Sequence, residues 1–189
     1  MIDSEAVIAQ TQEWFQKVVL GLNLCPFAHQ PAKAGRIKFC VFTAHQDRNL
    51  LEQLEVEVAE LKRLEATQLE TTLLILPEGY EDFFFYLSTL EQVAKWQVQK
   101  GWEGFMQVAS FHPKYQFAHT AANDRENLTN QSPYPLLHLI RESSLSELID
   151  NGADTLSVPD RNIARINSLS LEQLKKLFPY STCVESIPK

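Results

Sequence analysis

Three short runs of β-type residues, each separated from the next by a stretch with helical periodicity, limit the folds open to this chain more than any other feature. Residues 36–42 (RIKFCVF) alternate and are rich in β-branched and aromatic side chains. Residues 71–76 (TTLLIL) form a continuous apolar run closed by Pro77, the pattern of a strand covered on both faces. Residues 104–111 (GFMQVASF) make the third. Between the first two runs, Leu50, Leu51, Leu54, Val58, Leu61 and Leu64 recur on one helical face; between the second and third, Phe83, Phe84, Leu87, Leu90, Val93, Ala94 and Val98 do the same, with Gly101 at the end. Crossovers of this length permit parallel pairing. Val7, Ile8, Thr11, Phe15, Val18, Val19 and Leu22 predict an N-terminal helix that Gly21 is placed to end. Further on, Ser132 with Pro133 predicts a helix reaching about Leu148, Asn151-Gly152 a turn, Pro159-Asp160 a short helical piece, and Ser170 with Gln173 a capping box. The expected architecture is α/β: a single-domain layered fold over residues 1–189, with a mostly parallel three- to four-stranded sheet flanked by helices.

Composition fits that architecture and excludes several functions. A chain of 189 residues, 44% hydrophobic, can bury a core without covalent staples. Three widely spaced cysteines, Cys25, Cys40 and Cys183, form no CxxC, so neither a disulfide framework nor a zinc ribbon is indicated. The acidic N-terminus has no basic segment leading into an apolar core, and no run approaches the ~20 apolar residues needed to span a bilayer. A cytoplasmic protein with no membrane partner is expected. The net charge of −7 argues against nucleic acid, whose phosphates call for a basic face. That charge is unevenly spread. Residues 44–91 hold eleven carboxylates against three bases, a net of −8, which leaves the rest of the chain at +1. Residues 14–46 carry Lys17, Lys33, Arg36 and Lys38, with Cys25, His29 and His45, and no carboxylate at all. Either this is an ordinary solvated acidic helix beside a neutral remainder, or it marks a locally positive cleft for a small anionic ligand.

The long segment after residue 111 lacks periodicity yet is filled with aromatics, histidines, prolines and asparagines. Loops of this length are functional or disordered, and Tyr115, Phe117 and Tyr134 argue for order. His112-Pro113 falls at the carboxyl end of the third strand, where open α/β sheets collect ligands. If 132–148 is helical, Tyr134, His138, Arg141 and Glu142 share a face opposite Leu136, Leu139 and Ile140. Turned toward a cleft, His138 would serve as acid or base, Arg141 would grip a carboxylate or phosphate, and Glu142 would orient them; turned to water, the same face does nothing. His112 is a second acid–base candidate or a strand-end histidine bonded to backbone. Cys25, extended ahead of Pro26 and near cations in sequence, is a candidate nucleophile or a small buried hydrophobe. A metal would need His138 and Glu142 with His112 or His119 and Asp124, a set without the spacing of a known metal motif, and no cofactor follows from the residues.

GLNLCPFA (21–28), ASFHPKYQFA (109–118), NQSPYPLLHLIRE (130–142) and VPDRNIARI (158–166), in this order, resemble the signature blocks of a bacterial family known only as a domain of unknown function. The resemblance brings no activity, cofactor or substrate. It implies that Cys25, His112, Tyr115, Ser132, Tyr134, His138, Arg141, Glu142, Arg161 and Asn162 lie in the family's motifs. Gln131 stands where the family's block has an arginine, which moves any anion-holding role there to Arg141, Arg125 or Arg161. The resulting expectation is an enzyme acting on a small anionic metabolite through His112 and His138, with Arg141 as clamp, Cys25 as a possible nucleophile, and Ser132, Tyr134, Tyr115, Arg125 and Arg161 lining the site. The alternatives are a non-catalytic ligand- or protein-binding module and a metal-dependent hydrolase.

Overall fold

The structure is a computed structural model and describes residues 2–43, 49–152 and 154–186. His45, part of the carboxylate-free stretch, lies outside the described residues. Helix α1 (Ser4–Trp14) starts where the Asp3 carboxylate accepts from the N–H groups of Glu5 and Ala6, and it continues into a π-helical turn, Phe15–Leu20, ending at Gly21. A 3₁₀ turn (Pro26–Ala28) and α2 (His29–Lys33) lead to β1 (Ile37–Val41). Helix α3 (Leu50–Arg63) opens with a reciprocal Asn49–Glu52 capping box and leads to β2 (Thr71–Ile75). Helix α4 (Phe83–Gln99) is capped by Asp82 and leads to β3 (Met106–Phe111). After the long loop come β4 (Leu136–Arg141), α5 (Glu142–Asp150), α6 (Val158–Asn167), α7 (Leu171–Leu177) and α8 (Thr182–Glu185). The Ser170–Gln173 capping box forms as expected.

The sheet order is β1-β2-β4-β3, with β1 parallel to β2 and β4 antiparallel to both neighbours. Two expectations are corrected here. The sheet is mixed rather than mostly parallel, and residues 136–141 are a central strand rather than part of a helix. The second error causes the first. Inserted between β2 and β3, the strand LLHLIR is covered on both faces, so its apolar residues run on without alternation, and a short continuous run looks the same in a buried helix as in a buried strand. The helix begins only at Glu142.

The two faces of the sheet support two cores. On one, Leu74, Leu137 and Leu139 meet Leu54, Val58 and Leu61 of α3 and Tyr86, Val93 and Trp96 of α4. On the other, Leu73 and Leu136 meet Trp14, Phe15 and Val18 from the N-terminal helix and Ile166, Leu174 and Phe178 from the C-terminal segment. Each fully buried leucine contributes roughly 2 kcal/mol of hydrophobic stabilisation. No helix among the described residues is long and apolar enough to cross a membrane.

Candidate functional site

The change from helix to strand redistributes the expected constellation. Successive residues of β4 point to opposite faces, so His138 turns toward Leu73 while Leu137, Leu139 and Arg141 turn toward α3 and α4. The His138 Nε2 lies 2.7 Å from Thr71 Oγ1, which itself donates to the Leu139 carbonyl at 2.5 Å. Loss of hydration pushes the His138 pKa down to about 4, so the ring is neutral near pH 7. His112 is fully buried on the α4 side, packed against the rings of Phe83 and Tyr86. Its Nε2 bonds the Tyr80 carbonyl at 2.9 Å and its Nδ1 accepts from the Lys114 N–H at 2.9 Å, so both ring nitrogens are spent on backbone. Burial lowers its pKa too, the Tyr80 carbonyl pulling the other way.

Arg141 is also engaged inside the protein. Its Nε donates to the Leu69 carbonyl at 3.1 Å, and one terminal nitrogen donates to the carbonyls of Leu61, Leu64 and Leu69. The Leu61 and Leu64 carbonyls are acceptors left over where α3 ends and Leu69 lies just before β2, so the guanidinium caps that helix as a fixed cation at its negative pole and ties it to the approach to β2. Ser132 donates to the Tyr134 carbonyl at 2.6 Å, and the Tyr134 hydroxyl donates to Gln10 Oε1 at 2.6 Å. Tyr115 packs between the rings of Phe83 and Phe117. Arg125 donates to the Leu169 carbonyl at 3.2 Å. The Glu142 N–H, opening α5, donates to the Phe105 carbonyl at 3.0 Å. The helical i, i+4 geometry that would pair His138 with Glu142 is absent. Among the described residues no three or more His, Cys, Asp or Glu side chains are grouped to hold a metal ion.

The long loop is ordered by its own polar groups. The Asn127 amide oxygen accepts from the Phe117 N–H at 3.0 Å and from the Thr120 hydroxyl at 2.9 Å, while its nitrogen donates to the Ala121 carbonyl at 2.8 Å. Gln131 is the hub between loop and helices. Its backbone carbonyl accepts from Trp14 Nε1 at 3.1 Å and the Tyr180 hydroxyl at 3.3 Å, and its side chain joins the Tyr115 carbonyl to Ser181.

Two other expected residues do meet at a cavity. Gly21, Leu22, Asn23, Pro26, Arg161, Asn162 and Arg165 line an open cleft of about 330 Å³ between the end of the π turn and α6, and Cys25 lies in the same turn. The Asn162 amide nitrogen ties its walls together by donating to the Leu24 carbonyl at 2.8 Å across 138 positions of sequence. Asn23, in a left-handed backbone conformation, holds His29 Nε2 at 3.0 Å through its amide oxygen. Arg161 and Arg165 are four residues apart and so neighbours on the exposed face of α6. Arg161 donates to the Asp154 backbone carbonyl at 3.3 Å. Among the described residues no carboxylate lines the cleft. Burial pushes the Cys25 thiol up, opposed in part by the N–H groups of Phe27 and Ala28, so the thiol form is favoured near neutral pH. Sequence reasoning did not single out Asn23 or Arg165. The available signal was the i, i+4 repeat of arginine within RNIAR, which sets two guanidinium groups on one helical face.

Fold and cleft together define an α/β protein with a mixed four-stranded sheet, in which two segments far apart in sequence meet around one cleft. Residues 6–176 match the family described as "Protein of unknown function (DUF1415)", and the chain belongs to that family. No curated protein and no solved structure matches it.

Proposed function

We propose that the protein binds a small organic anion in the cleft between the Gly21–Pro26 turn and α6, without turning it over. One observation carries this reading: two sequence blocks 138 positions apart are joined by the Asn162–Leu24 bond into a cavity of metabolite size, lined by two arginines and no carboxylate among the described residues. Two guanidinium groups lining a concave site favour carboxylate or phosphate. Turnover is the weaker reading. The imidazoles of His112 and His138 are committed inside the protein, and the Cys25 thiol beside the cleft is held toward its protonated form.

A thermal-shift screen of metabolite carboxylates and phosphates, run on the native protein and on an Arg161→Gln/Arg165→Gln double variant, tests the proposal. Both arginines are exposed, so the variant should unfold at nearly the native temperature. Stabilisation that saturates with ligand in the native protein and disappears in the variant is the expected result. Equal shifts in the two proteins would reject the cleft as the binding site.

A further inference from the structure

The second polar group of the cleft restricts the ligand further, and the restriction rests on the anion-site reading above. Asn23 can offer a ligand either end of its amide, because its partner His29 can donate or accept. Asn162 has no such freedom. Its partner is a backbone carbonyl, which only accepts, so the amide nitrogen must face Leu24 and the orientation of the group is fixed by chemistry. Asn162 lines the cleft, so its amide oxygen is the acceptor that this side chain has left to offer, beside two arginines that can only donate. No donor from the described residues is hydrogen-bonded to it.

From this asymmetry we infer that the ligand is a hydroxylated small anion: its acid group meets Arg161 and Arg165, and a hydroxyl close to that group donates to the Asn162 amide oxygen. An anion of the same size without the hydroxyl would desolvate that oxygen and return no hydrogen bond, which is the arrangement by which polar sites reject isosteres. A hydroxy-carboxylate and a hydroxyalkyl phosphate share the required chemistry.

Titration calorimetry on the native protein with two matched pairs, malate against succinate and glycerol 3-phosphate against propyl phosphate, separates these sources and tests the inference. The hydroxylated member of at least one pair should bind about fivefold tighter or more. Asn162→Leu, which removes both ends of the amide and with them the bond to Leu24, should lose that preference. The native-protein comparison decides the matter even if this variant folds poorly. Preference below about fivefold in both pairs, with binding still lost in Arg161→Gln/Arg165→Gln, overturns the hydroxyl requirement and leaves the anion site standing. No saturable heat with any of the four at millimolar concentration overturns both.

Discussion

At position 138 an imidazole occupies a place in a buried strand where its neighbours are leucine and isoleucine. Loss of hydration keeps it neutral, with a pKa near 4 against about 6.5 in an unfolded chain, while its Nε2 lies 2.7 Å from Thr71 Oγ1. Between pH 6.5 and 4 the unfolded chain takes up a proton at this position that the folded protein refuses, so acidification through that window destabilises the fold. The half-buried ring retains some hydration, so the loss is at most roughly 3 kcal/mol, and it levels off below pH 4. Urea unfolding from pH 7 to 4 should show this decline, and His138→Gln should flatten it while His112 maintains a smaller slope of the same sign. His112 and Arg141 teach a related lesson. Both residue types carry chemistry in active sites, and both are spent here on main-chain carbonyls that no sequence pattern displays, which is why their identity was legible and their employment was not.

At the scale of elements, the N-terminal helix loosens into a π turn immediately before the cleft, a distortion often found beside functional sites. Gly21 closes that turn. A side chain there would collide with the main-chain oxygen of Lys17, although the backbone angle of Gly21 suits any residue. Gly21→Ala should therefore force the turn apart, lowering stability by about 2 kcal/mol in urea unfolding and weakening anion binding in the thermal-shift assay. An alanine variant that binds as tightly as native would separate the turn from the site. The end of the helix at Gly21 could be read from residue type, whereas the wider turn could not, because it depends on Gly21 N–H reaching back to the Gln16 carbonyl at 3.0 Å. Helices α3 and α4 were plain in the spacing of their leucines and phenylalanines. Strand β4 was hidden because burial on both faces erases the alternation that marks a strand.

For the whole molecule, net charge opposes anion capture while its distribution permits it. The net negative charge is concentrated in residues 44–91, and the cleft is built from 21–26 and 161–165, outside that acidic stretch. Binding through exposed arginines should weaken as salt screens them, about tenfold between roughly 0.05 and 0.5 M ionic strength; calorimetry showing no salt dependence would mean that charge does not hold the ligand. The separation of acidic and carboxylate-free segments was visible in the sequence, but the meeting of residues 24 and 162 was not, since it depends on how the last third of the chain packs back onto the first. Strand β4 has a temporal consequence as well. During synthesis β2, paired with β1 on one side only, and β3 emerge with no bond between them, and the piece that joins them is the last strand among the described residues. The chain must emerge as far as Arg141 before the sheet can close, and until then the facing edges of β2 and β3 stay open to other strands.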